Sequence, residues 1–291
     1  MAMTVGGVNS YVSNYNRINT AAQNTTQKIS TGSNYPSAAF GASEYAIGAR
    51  LTSNIGATSQ SIQNVQNMSS MVKVAEGATK NTINNLTEIQ SRLINAANDS
   101  NANLDRQAIQ KEINQLVRQI DSNAYVQYNG MNLLDGSRDA LTVAGIDGYR
   151  ELPLGDLRAQ TLGLTDAEGN VTIDATTVES AEVALKAVSG VLTYVEQLDG
   201  SMREVIDGGL SLEASLDEAT TQGALLQRLE FQQANYTTME ENQLAALSNS
   251  NDADIAKQIT NLHSEQTLQQ LALFGMQMFN HNQANVLRLL Q

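Results

Sequence analysis

Apolar residues recur along most of this chain at steps of three and four, the spacing that puts them on one face of an α-helix. Val8, Tyr11, Tyr15, Ile18 and Ala22 form the first stripe. Gly32, Pro36 and Gly41 interrupt it over residues 31–42. The period then returns and runs long, through Ile55, Ile62, Val65, Met68, Val72, Ala75, Leu86, Ile89 and Leu93. Residues 98–103 read as a polar turn, and Ile109, Ile113, Leu116 and Ile120 predict a third helix.

The second half repeats the arrangement. Ala184, Val188, Val191, Val195, Leu198, Met202 and Val205 alternate steps of four and three through three heptads, the signature of a coiled-coil seam. A further helix is predicted over 224–247, with Leu225, Leu229, Tyr236 and Met239 on its stripe. Residues 249–254 read as a turn whose aspartates suit the N-cap of a last helix, 255–290. That helix carries Ile255, Ile259, Leu262, Phe274, Met278, Val286 and Leu289, and is apolar on more than one side near its end. Over 130–178 the helical period vanishes. Gly-Asp and Asp-Gly pairs there separate short runs, 140–144 and 170–173, that read as β-hairpins. The predicted fold is mainly α: a long antiparallel helical bundle or coiled coil formed by the N- and C-terminal halves, with a small β-hairpin region at the tip and the two chain ends side by side.

The terminal stripes have little chain nearby to cover them. Either the two ends pack only on each other as an antiparallel hairpin, or they find partners in neighbouring molecules and order on assembly. Heterologous contacts of the second kind give open helical filaments when the rotation does not close.

Composition agrees with helices packed along seams. Aromatics are 4% of residues, Trp is absent and only two prolines occur, yet hydrophobic residues reach 41%. The net charge of −13 argues against nucleic acid, whose binding begins with neutralising phosphates, and against anionic membrane surfaces. No apolar run approaches the ~20 residues of a membrane span. The first residues lack the basic and apolar regions of a general secretory signal, so the chain is expected to be either cytoplasmic or exported by another route. There are no cysteines.

The supply of chemistry is thin. The histidines, His263 and His281, sit 18 residues apart on a predicted helix, about 27 Å along its axis, which excludes joint metal ligation within one chain. Glu265 follows His263 at the wrong spacing for a ligand pair on a helix. Gly6-Gly7 and Gly208-Gly209 read as joints, Asp252 and Asp254 lack the frame of a calcium loop, and Glu240-Glu241 reads as a solvated helix face. No catalytic, metal or cofactor site is expected, and the reading is structural, not enzymatic.

Several segments resemble one family. Residues 24–50 (Asn-Thr-Thr-Gln-Lys-Ile-Ser-Thr-Gly … Ala-Ile-Gly-Ala-Arg) are similar to the N-terminal signature of bacterial flagellins. Residues 112–134 (Glu-Ile-Asn-Gln-Leu … Tyr-Asn-Gly-Met-Asn-Leu-Leu), 154–164 (Leu-Gly-Asp-Leu-Arg-Ala-Gln-Thr-Leu-Gly-Leu) and 283–290 resemble later family segments in the same order. The resemblance implies a structural subunit that polymerises into the flagellar filament for swimming motility. It implies an inner helical layer from about 1–45 and 250–291, built on the Val8 to Ala22 stripe and the apolar positions of 255–289. An outer layer would form from 46–178, with its β-hairpin region at about 130–178, and from 179–249, packed through the Ala184 to Val205 seam. The large outer domains that many flagellins insert after the equivalent of Leu134 have no room here, so a minimal flagellin is expected.

The resemblance further implies an extracellular filament and export by the flagellar type III system without a cleaved signal. Its implied partners are further copies of the chain, an export chaperone at the C-terminal helix, and hook-associated junction and cap proteins. In members sensed by an innate-immune Toll-like receptor, the outer core carries Arg-x-Arg-Glu-Leu-x-x-Gln. Aligned on Ala96, Ile109 and Glu112, the matching positions here are Glu88, Gln90, Ser91, Arg92 and Asn95, with Leu93 displaced by one residue, about 100° around the helix. A carboxylate stands for a guanidinium and a charge for a leucine, so receptor activation is expected to be weak. The rival readings are a hook–filament junction protein and a secreted coiled-coil adhesin.

Overall fold

The computed structural model describes residues 2–189 and 211–289. In chain order the described elements are α1 (Ala2–Thr31), a short 3-10 helix (Ala38–Phe40), α2 (Ala42–Ala96), α3 (Asn103–Ala124), and β1 (Gln127–Tyr128) with β2 (Met131–Asn132). There follow β3 (Ala140–Gly145), β4 (Gly148–Pro153), α4 (Val178–Ser189), α5 (Ser211–Asn251) and α6 (Ile255–Leu289). The fold is mainly α with small antiparallel hairpins. The chain divides into two compact units: a terminal unit of Met1–Gly56 and Met239–Gln291, and a central unit of Ala57–Thr238. Helices α2 and α5 contribute residues to both.

The central unit has a true core, and one long heptad run builds it. Thr58, Ser61, Val65, Met68, Val72, Ala75, Thr79, Thr82, Leu86, Ile89, Leu93 and Ala96 alternate steps of three and four along α2, and every one is buried. Helix α3 answers with Ile109, Ile113, Val117, Ile120 and Ala124, and α5 with Leu225, Leu229 and Tyr236. Two hydroxyls within the α2 seam are satisfied locally: Thr79 donates to the Ala75 carbonyl at 3.0 Å and Ser61 to Ala57 at 2.8 Å. Helices α2 and α3 form an antiparallel hairpin clasped by a buried cation. Arg106 donates from Nε to the Ala96 carbonyl and from Nη2 to that of Asn98, each at 3.0 Å, and so caps the open end of α2. The start of α3 is closed from the other direction, where the Ala102 N–H donates to the Asp105 carboxylate at 3.1 Å.

The β elements follow from turn chemistry. Asn129 and Gly130 both take positive φ, 50° and 75°, which makes a type I′ turn between β1 and β2. Strands β3 and β4 pair from Ala140↔Pro153 to Gly145↔Gly148 around the two-residue turn Ile146-Asp147. This hairpin is pinned to α2 and α5. The Ile146 N–H donates to Ser61 Oγ at 2.9 Å, Asn64 donates to the Ala144 carbonyl at 2.9 Å, and the Tyr236 hydroxyl donates to the Asp147 carboxylate. Residues 170–173 do not form the strand expected of them. They make only a single bridge, Thr165↔Val171, because Asp166 folds back on itself, accepting from the N–H groups of Glu168 and Asn170. Helix α5 is already formed at Ser211, ahead of where its apolar stripe predicts it, because Ser211, Ser215 and Gln222 continue the seam with polar side chains.

In the terminal unit α1 and α6 run antiparallel. Ser33 bridges Asp252, Thr25 donates to Glu265 at 3.1 Å, Gln269 to Asn19 at 3.3 Å, and the Tyr11 and Phe279 rings lie 5.7 Å apart. The clasp at the turn is polar. Gly32, at φ 68°, ends α1; its carbonyl accepts from the Ala253 N–H at 2.9 Å, and the Asn34 N–H donates to the Asn251 carbonyl at 2.7 Å. Asp254 caps α6 as expected, accepting from the Lys257 N–H at 3.0 Å.

Candidate functional site: the exposed apolar faces of the terminal helices

The terminal unit buries almost nothing. Among the described residues, Ala22 alone of the 33 buried hydrophobic ones belongs to it, whereas it holds 12 of the 20 exposed large hydrophobic ones. The cause lies in which face of each helix meets its partner. On α1 the inward positions are Tyr15, Ile18, Ala22, Thr25 and Ile29; on α6 they are Gln258, Leu262, Glu265, Gln269, Ala272, Met276 and Phe279. Both sets keep a heptad spacing, but the α6 set is largely polar or small. Beyond Leu262, Met276 and Phe279, its large apolar residues point elsewhere, with Leu271 63%, Phe274 59%, Met278 51% and Ile259 43% exposed. Oε2 of Glu265 is buried with no hydrogen-bond partner. Exposed large apolar side chains in this number on one unit mark an interaction surface.

The predicted positions fall on different sides of this pair. Tyr15, Ile18 and Ala22 face α6, and Tyr11, 37% exposed, stacks at its edge on Phe279. Leu262 is half-buried at the seam, while Ile255, Ile259, Phe274 and Met278 are exposed. Val8, Val286 and Leu289 lie on the helices, but their side chains are outside the described ones. In the central unit Ala184 and Val188 of α4 are buried, whereas Val191, Val195, Leu198, Met202 and Val205 lie outside the described residues.

In the segment aligned with the receptor-sensed stretch, Arg92 is held by Glu88 at 2.7 Å and by Glu112 at 3.2 Å. Leu93 is fully buried in the α2 seam, and Asn95 accepts from Asn101. Among the described residues no group of His, Cys, Asp and Glu could hold a metal, and no helix is long and apolar enough to cross a membrane.

Sequence reasoning missed the latch at the hairpin turn. Tyr236 was legible as a seam residue, but nothing in its spacing announces that its hydroxyl reaches Asp147 across 89 residues while accepting from Gln232 Nε2 at 2.9 Å. The Tyr236 hydroxyl and then Arg150 hold the Asp147 carboxyl below the usual carboxylate range, and burial, then Asp147, pushes Tyr236 up.

Known proteins resolve what this two-helix unit belongs to. Residues 7–139 match the family model of the bacterial flagellin N-terminal helical region. A Treponema maltophilum protein named flagellar filament 30.7 kDa core protein is 28% identical over 285 residues, covering 94% of this chain and 93% of that one. The chain is homologous to flagellins over 94% of its length. Bacillus subtilis flagellin is 27% identical over 289 residues, covering 94% of each chain. The solved structure of Bacillus cereus flagellin aligns with 64% of this chain and 94% of that one at a TM-score of 0.46 and 23% identity. Because the first two relatives are spanned almost end to end, a flagellin without a large outer domain is consistent with the match.

Proposed function

We infer that the chain is a structural subunit that polymerises into the bacterial flagellar filament. The observation that carries this reading is the terminal unit: paired helices whose apolar side chains outnumber what the pair can cover. Isolated, such a unit leaves Leu271, Phe274 and Met278 in water; in a helical polymer neighbouring copies cover them. Burying an apolar side chain of this size is worth roughly 1.5–3 kcal/mol, so a handful per subunit suffices to drive assembly.

In this reading residues 1–45 and 250–291 form the inner layer of the filament and 46–249 the outer one. Export through the flagellar type III apparatus delivers the chain. A chaperone covers the apolar faces of α6 before assembly, and hook-associated junction and cap proteins bound the polymer at its ends. The subunit contributes structure and no catalysis. Toll-like receptor activation is weak, since Arg92 is tied down by two carboxylates and Leu93 is core; a reporter-cell response equal to that of a standard flagellin would contradict this.

Negative-stain microscopy of the purified full chain, with filament seeds present, tests the function. Long uniform tubes are expected. Closed rings or short stacks would favour a junction adaptor, and monomers throughout would remove the filament reading.

A further inference from the structure

Charge is distributed unevenly within the terminal unit. Among the described side chains, the α1/α6 pair presents Arg17, Lys28 and Lys257 against one carboxylate, Glu265, which the hydrogen bond from Thr25 holds in the seam. The rest of the unit's helical surface, residues 42–56 of α2 and 239–251 of α5, presents Glu44, Glu240 and Glu241 against Arg50. These two helix ends approach at Gly48, where a Cβ would sit 3.9 Å from Leu247 Cδ1. The four ion pairs among the described residues all lie in the central unit, so neither set of charges in the terminal unit is neutralised by an ion pair within it. Both faces also leave apolar side chains exposed: Ile255, Ile259 and Phe274 on the first, Tyr45, Ile47 and Leu244 on the second. The second carries an open depression of about 230 Å³ lined by Ile47, Arg50, Leu51 and Asn54.

We propose that α1 and α6 of one subunit dock on the 42–56/239–251 face of a neighbouring copy, cations against carboxylates, with a large α6 side chain seated in the 47–54 depression. The proposal rests on the filament reading and adds to it which surfaces meet. Two unlike faces make a head-to-tail contact that can propagate without closing, whereas a two-fold contact through either face alone would set like charges together. The charges select orientation and partner; the apolar side chains supply most of the affinity.

A charge-swap experiment with two full-length variants tests the pairing. Variant one carries Arg17→Glu and Lys257→Glu, and variant two carries Glu240→Lys and Glu241→Lys. Each alone meets its copies like-on-like, so its critical concentration for growth from filament seeds at low salt is expected to rise about tenfold. In an equimolar mixture every alternating contact is complementary again, and the critical concentration is expected to return to within about twofold of the unsubstituted chain. Rescue by mixing also shows that both variants fold. Growth of either variant alone at the unsubstituted concentration, or a mixture no better than its components, would overturn the pairing. Failure of the unsubstituted chain itself to grow would instead remove the filament reading beneath it.

Discussion

Leu93 and Phe274 are both large apolar residues on helices, yet one is fully buried and the other 59% exposed, and that difference separates folding from assembly at the level of single side chains. Leu93→Ala is expected to destabilise the monomer by about 2–5 kcal/mol, read by denaturant unfolding, because it opens a cavity in a close-packed seam. Phe274→Ala is expected to change monomer stability by no more than about 0.5 kcal/mol while raising the critical concentration for polymerisation. Equal effects on monomer stability would contradict this division.

The latch on the β3–β4 turn gives a second test at this scale. Tyr236→Phe removes a hydroxyl that bonds both Asp147 and Gln232, so a loss of about 1–3 kcal/mol is expected in thermal unfolding. The sign of the pH dependence follows from both partners. Asp147 titrates below its unfolded value, so its contribution is present above about pH 4 and is lost as acid protonates it in the fold. Tyr236 titrates above its unfolded value, so its share is present below about pH 10 and is lost as the pH rises through the folded value. Asp147→Asn is expected to flatten the acid limb of the stability profile; an unchanged limb would show that other carboxylates govern it.

At the scale of elements, the helices were legible because heptad spacing survives any context, and the turns because Gly, Asn and Asp constrain the backbone. The interruption over 31–42, the polar turn near 98–103 and the Asp254 cap all stand close to where the sequence places them. Residues 211–223 of α5 were not legible as helix, since Ser211, Ser215 and Gln222 hold seam positions with polar groups that periodicity does not count. The α6 seam was hidden for a related reason. Its inward face includes Gln258, Glu265 and Gln269, while Ile255, Ile259, Leu271, Phe274 and Met278 face outward, so apolar spacing alone does not single out the seam. Hydrogen exchange is expected to show this directly: slow amides in α3 and in residues 57–96 of α2 in the monomer, fast amides in α1 and α6, and protection of the latter only in the polymer. Slow exchange in α1 and α6 of the monomer would mean that the pair is stable alone.

For the whole molecule, the net charge of −13 is not shared evenly. The terminal unit holds five basic and six acidic residues, a net of −1, and the central unit twelve and twenty-four, a net of −12. The surface with the apolar faces is thus nearly neutral, while the unit with its own core carries the repulsion. Raising ionic strength from about 0.01 to 0.15 M shortens the screening length from about 30 to 8 Å, so polymer growth is expected to accelerate with salt. Slower growth would place ion pairs, not apolar burial, at the centre of assembly.

The most direct test of the central claim is sedimentation of the intact chain beside one trimmed to residues 46–249, under identical conditions with filament seeds. The predicted result is that the intact chain pellets as polymer. The trimmed chain is predicted to keep its helical circular dichroism and cooperative unfolding but stay monomeric at every concentration. A trimmed chain that still polymerises, or an intact chain that never does, would contradict the assignment of assembly to the terminal helices.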